Sequence, residues 1–213
     1  MSAVSAQGLG PFLRIFFQPR ATIRAIVDVD PRRHVVPIAL VAGGLSAIPG
    51  ALIAGASGPL QQAGPFVAAF ATVFGAVFGV IGLYIGGWLL TFTGWQLGGT
   101  ATPRLVRAAV AWSNVPSIVG SAIAVVALVT GVAAIPAYDP ESPFRVGGTL
   151  SGLNPVFLGF AIWSFVISLV CLSEVNGFSV VRAILAYVLI AVEVGILVAI
   201  LVIVSVGLPG FGR

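Results

Sequence analysis

Between Arg33 and Arg104 the chain runs through apolar positions without one Asp, Glu, Lys or Arg, a stretch long enough to cross a bilayer twice. A spanning helix needs about 20 mainly apolar residues, because the hydrocarbon core is about 30 Å thick and each helical residue rises about 1.5 Å. Similar stretches cover 108–138, 146–173 and 183–212, the last interrupted only by Glu193. Prolines mark where such helices begin, since the first turn tolerates a residue without an N–H and the residue before it can cap free amides. Asp30-Pro31, Gly64-Pro65, Thr102-Pro103 and Asn154-Pro155 each read as a start, and Ser179 follows the breaker pair Asn176-Gly177. The pattern predicts five spans at roughly 34–55, 65–92, 105–135, 155–173 and 179–207.

The third segment is too long for one crossing and is interrupted by Asn114-Val115-Pro116. Pro116 removes a backbone hydrogen bond, so a kink is expected, with 104–113 an interfacial half-helix and the spanning half starting near Pro116. Carbonyl groups freed near Asn114 could bind a ligand, as at broken transporter helices. Alternatively Ser117, a neighbouring helix or water satisfies them. Ahead of the first span, Phe12, Leu13, Ile15, Phe16, Phe17, Ile23, Ile26 and Val27 alternate with Arg14, Arg20 and Arg24. That mixture suits helices lying in the headgroup plane, and Pro19 is expected to split the segment in two.

Composition agrees: 59% of residues are hydrophobic and 8% charged, against about 25% charged in soluble domains, and the mean hydropathy is +1.14. The expected class is an all-α polytopic membrane protein with five transmembrane helices, 1–33 forming a cytoplasmic or interfacial amphipathic segment and 34–213 the transmembrane domain. Met1 to Gly10 carry no positive charge, unlike a cleavable signal peptide, so the mature chain is expected to begin near Met1. Lysine is absent while Ala, Gly and Arg abound, which suggests a GC-rich bacterial source and hence the inner membrane.

Basic residues are retained on the cytoplasmic side, which orients the spans. Arg14, Arg20, Arg24, Arg32 and Arg33 precede the first span, Arg104 and Arg107 follow the second, and Arg182 opens the fifth. With five spans all three groups share one side, giving a cytoplasmic amino terminus and a periplasmic carboxyl terminus. The other side holds the uncharged 55–64 loop and the 136–154 loop with Asp139, Glu141 and Arg145. The net charge of +4 thus sits at helix ends, where Arg20, Arg24, Arg32, Arg33, Arg104, Arg107 and Arg182 are candidate contacts for lipid headgroups or partner proteins. No basic stripe interleaves with exposed aromatics, which argues against nucleic acid.

Chemistry-bearing residues are sparse. His34 is the only histidine and Cys171 the only cysteine, so neither a metal site nor a disulfide can be assembled, and no cofactor motif appears. No nucleophile and base pair up, which argues against an enzyme. Glu193 alone places an acid deep in a span, and in neutral form it could bond Ser46, Thr72 or Glu193 of another subunit, or serve ion or proton transfer. Glu174 and Arg182 flank the last turn, where Glu174 could pair with Arg182 or Arg107. Gly75-Ala-Val-Phe-Gly79 and Gly82-Leu-Tyr-Ile-Gly86 put small residues four apart, permitting close helix packing within a subunit or between subunits. Trp88, Trp95 and Trp112 suit an interfacial aromatic belt.

Several of these features recur together in a known order. Gly98-Gly99, a basic segment through Arg104 and Arg107, and Trp112-Ser113-Asn114-Val115-Pro116 resemble the pattern of the Yip family, Ypt/Rab-interacting membrane proteins with five spans. Glu174 to Ser179 with Arg182-Ala183, and Pro19-Arg-Ala-Thr22, resemble it as well. The resemblance implies a helical membrane domain with a cytoplasmic amino terminus. Eukaryotic relatives are linked to Rab-type GTPases, paired family members and vesicle traffic through a longer cytosolic region. Only about 30 residues precede the first span here, too few for a domain.

Two functions follow as expectations. One is a noncatalytic membrane organiser, homo-oligomeric, binding membrane lipids or other membrane proteins through its arginine-bearing face. The other is a channel or transporter for an ion, small solute or lipid, using Glu193 and the Pro116 kink.

Overall fold

The computed structural model describes residues 10–55, 64–130 and 154–207, and every regular element among them is helical. In chain order these are α1 (Gly10–Phe17), α2 (Pro19–Val29), α3 (Val35–Gly55), α4 (Gly64–Gln96), α5 (Pro103–Ser113), α6 (Val115–Val129), α7 (Asn154–Asn176) and α8 (Val180–Gly207). Four stretches are long and apolar enough to cross a bilayer: Phe66–Gln96, Pro103–Val129, Leu158–Asn176 and Val180–Val204. The 21 residues of α3 add an apolar helix about 30 Å long at about 1.5 Å per residue. The chain is an all-α polytopic membrane protein. The 55–64 and 136–154 loops, Met1 and Arg213 lie wholly or mostly outside the described residues.

Most helix starts fall where proline permits them. Pro19 opens α2, and Pro103 stands in the first turn of α5 behind Thr102, although the Thr102 hydroxyl makes no capping bond. Asp30-Pro31 behaves differently. There the Asp30 carboxylate accepts the Arg32 N–H at 2.8 Å and the Asp30 carbonyl accepts the Arg33 N–H at 3.1 Å, so a tight turn forms and α3 begins only at Val35. Aspartate offering its side chain to the backbone two residues on competes with helix in this way. His34 closes the turn with φ of +57°. The third segment divides into two helices at Asn114, and Pro116 lies in the first turn of α6 instead of bending a continuous helix.

Helices α3 and α4 pack antiparallel at near backbone contact. A Cβ added to Gly75 would lie 2.6 Å from both Ala47 Cβ and the Gly43 carbonyl oxygen, and one on Gly79 would lie 2.6 Å from the Ala39 carbonyl oxygen. Side chains there would force the helices apart, and where lipid removes the hydrophobic drive such contact is what associates them. Gly75 and Gly79 thus pack within the subunit. Gly82 and Gly86 do not share that contact, for an added Cβ at either meets nothing within 4 Å.

Helix α5, expected as an interfacial half-helix, is largely enclosed by protein, packed against α2, α3, α4, α6 and α7, with Arg104 at its start exposed. Ala108, Ala109 and Ala111 let neighbours close around it, and Trp112, expected in an interfacial belt, is a core residue 1% exposed, whereas Trp88 and Trp95 are exposed. Ile15, Ile23 and Ile26 of α1 and α2 join the same cluster as Trp112, Ile167 and Cys171, so the amino-terminal helices dock on the bundle. By contrast α8 leaves it: every residue from Val194 to Leu201 is exposed, a run of two helical turns without a neighbouring helix among the described residues.

Candidate functional site

The turn between α4 and α5 and the turn between α7 and α8 meet at one end of the bundle. Both need glycine, since Gly98 has φ of +81° and Gly177 φ of +69°, a region other residues enter at a cost. Asn176 locks them together. Its backbone carbonyl accepts the Thr100 N–H at 3.4 Å, its amide nitrogen donates to the Leu172 carbonyl at 3.0 Å, and its side chain packs on Gly94 and Gly99. A Cβ on Gly99 would collide with Asn176 Oδ1, a buried oxygen with no hydrogen-bond partner among the described residues. Arg182 closes the arrangement by donating from Nη1 to the Leu97 carbonyl at 3.4 Å.

The arginines divide by how far the fold commits them. Arg107 is engaged: its stem lies on Gly87, where a Cβ would sit 2.5 Å from Arg107 Cγ, and its guanidinium stands 4.4 Å above the Tyr84 ring centre, a cation–π contact. Arg24 forms an ion pair with Glu174, so Glu174 pairs with α2 and not with Arg182 or Arg107. Arg33 is half-buried and its carbonyl accepts the Trp112 indole N–H at 3.3 Å. Arg14, Arg20, Arg32 and Arg104 are exposed and, among the described residues, carry no ion pair.

Glu193 is half-buried on α8 and accepts a hydrogen bond from Gln96 Nε2 at 3.4 Å, a partner at the last residue of α4 instead of Ser46 or Thr72. Ser46 and Thr72 bond back to their own helices, at the Gly43 and Ala68 carbonyls. At the α5–α6 break, the Val110 carbonyl accepts both the Ser113 hydroxyl at 2.8 Å and the Asn114 amide at 3.1 Å. Asn114 thus bonds back to α5, and Pro116 is buried in the first turn of α6. His34 sits beside Phe12 and Trp112 in an aromatic group, with ring centres 6.1 and 6.3 Å away. Cys171 is buried with Sγ 3.9 Å from the Pro19 carbonyl. Among the described residues no three His, Cys, Asp or Glu side chains gather as metal ligands.

Two contributors escape a reading of local pattern. Gln96 and Asn176 sit at helix ends, where amides usually signal termination; Asn176 reads as half of a breaker pair and is also the buried lock between two turns. A third had a visible signal. Ala39, Gly43 and Ala47 repeat small residues at four-residue spacing on α3, the complement of Gly75 and Gly79.

What these residues can do is hold helices together and present cations at the bundle end. No curated protein and no solved structure matches the chain. A family model does, and its span takes in α2 to α7 whole, with most of α1 and α8: over residues 13–203 the chain matches the Yip1 domain, and it belongs to the Yip family.

Proposed function

We propose that the protein is a noncatalytic membrane-organising scaffold that holds lipids or partner membrane proteins at its arginine-bearing end, which faces the cytoplasm of a bacterial inner membrane. The observation that carries this reading is the contrast between committed and uncommitted polar groups. Glu193, Asn114, Glu174 and Asn176 are spent on contacts within the bundle, whereas Arg14, Arg20, Arg32 and Arg104 stand exposed. Cations clustered at the end of a membrane bundle attract anionic headgroups and acidic partner segments. The arginine asymmetry between loops supports the orientation.

Transport would instead run along Glu193. That carboxyl lies on the outer helix α8, while the bundle centre is filled by α5 with Val106, Ala108 and Trp112. The scaffold reading is tested by replacing Arg32, Arg33 and Arg104 with Gln in the full chain and counting the anionic phospholipid retained on purification. A clear fall is expected, at about one kcal/mol per basic residue at an anionic surface. Retention equal to the wild type would refute it.

A further inference from the structure

We propose that the outer face of α1 is a docking surface for anionic phospholipid, with Leu13 and Phe17 entering the acyl boundary while Arg14 and Arg20 hold the phosphates. The proposal deepens the scaffold reading and rests on it in placing the arginine-bearing end at headgroup level.

The two faces of the amino-terminal helices have different uses. Ile15 and Ile23 are fully buried, Ile26 nearly so, and Phe12 and Phe16 pack partly on the same cluster. These residues hold the segment to the protein, so they are not available to lipid. One turn apart on the opposite side of α1, Leu13 is 65% and Phe17 85% exposed. Arg14 lies beside them and is exposed as well.

The outer face of α2 has another character. Arg20, Arg24 and Asp28 repeat at four-residue spacing, Arg24 reaching Glu174, and the exposed residues beside them are the small Ala21 and Ala25 with Val29 as the one large apolar residue exposed on α2, a face more polar than that of α1. Polarity therefore changes across Phe17-Gln18-Pro19-Arg20, as it must where a chain passes through the headgroup layer.

Helix α1 packs against α6, part of a stretch long and apolar enough to cross a membrane, which brings Leu13 and Phe17 within reach of the surrounding lipid. Arg14 lies between Leu13 and Phe17 in the chain and Arg20 follows three residues after Phe17, both exposed and without an acidic partner among the described residues, and a planar guanidinium binds phosphate by paired hydrogen bonds. Exposed apolar anchors together with phosphate-binding arginines are what an anionic headgroup layer accepts.

The test uses full-length protein with Cys171, the only cysteine, replaced by Ala, and a fluorophore on Phe17→Cys or Ala25→Cys. The proteins are reconstituted in phosphatidylcholine vesicles with and without phosphatidylglycerol. Position 17 should be quenched by nitroxide-bearing lipid and shielded from aqueous iodide, with position 25 showing the reverse. Arg14→Gln and Arg20→Gln, both at exposed positions, should each lower the preference for retained phosphatidylglycerol over phosphatidylcholine by about fivefold. Position 17 as open to iodide as position 25 would overturn the proposal and assign this face to a protein partner. An unchanged lipid preference in both arginine variants would overturn it too. Either result, alongside retention that still depends on Arg32, Arg33 and Arg104, would refute the α1 surface while leaving the scaffold reading in place.

Discussion

Substituting Gly79 tests whether backbone contact between α3 and α4 holds the bundle. A Cβ there would lie 2.6 Å from the Ala39 carbonyl oxygen and 2.9 Å from Gly43 Cα, where ordinary contact begins at 3.4 Å. Both obstacles are backbone, so no side chain can rotate away, and the helices must part locally by about 0.8 Å. A gap of roughly 0.5–1 Å forfeits a quarter to a half of each atom pair's dispersion well, and overpacking costs about 1–3 kcal/mol. Alanine recovers at most about 1 kcal/mol of helix propensity, and less in a bilayer, where the dissociated helix stays helical. Gly79→Ala should therefore destabilise by about 1–2 kcal/mol, and Gly79→Leu by more. At Gly82 the added Cβ meets nothing within 4 Å, so Gly82→Ala should be neutral or slightly stabilising. Unfolding of the purified chain in mixed micelles, titrated with denaturing detergent, measures the difference. Equal stability of Gly79→Ala and Gly82→Ala would refute the reasoning.

Gly99→Ala should destabilise because its Cβ strikes Asn176 Oδ1 and approaches the Gly94 carbonyl oxygen to 2.9 Å; adding Asn176→Ala should recover part of the loss, and strictly additive melting shifts would contradict this coupling. The Arg24–Glu174 pair, with the Arg24 side chain 69% exposed, should contribute only about 0.5 kcal/mol after solvent screening and fade in high salt, as a double-mutant cycle would read. A reporter fused after Arg213 should be periplasmic and one after Gly99 cytoplasmic, and finding both on one side would overturn the proposed orientation.

Helix existence was legible from charge-free runs, and several boundaries from proline, because both are local properties of the chain. Pro19 and Pro103 open helices where their missing N–H does no harm, and Asn114-Val115-Pro116 does break the third segment. Asp30-Pro31 misleads because one carboxylate can either cap a helix or close a turn, and neighbouring residues do not decide between them. The burial of α5 was harder to see. Its arginines and Trp112 mimic an interfacial helix, and only the closure of five other helices around its alanines makes Trp112 a core residue. Pairings such as Arg24 with Glu174 or Asn176 with Gly99 join segments far apart in the chain, and no local period encodes them.

The central claim, that this Yip-family chain organises a membrane instead of carrying something across it, is tested most directly by flux at Glu193. Wild type and Glu193→Gln are reconstituted in liposomes, and proton and cation flux is followed across pH with subunit assembly measured in parallel. Gln keeps the side-chain shape and its hydrogen bonding to Gln96 but cannot exchange a proton. The account predicts that the two proteins assemble alike and that neither shows flux above empty liposomes. A pH-dependent flux in the wild type, abolished by Glu193→Gln with assembly intact, would contradict it.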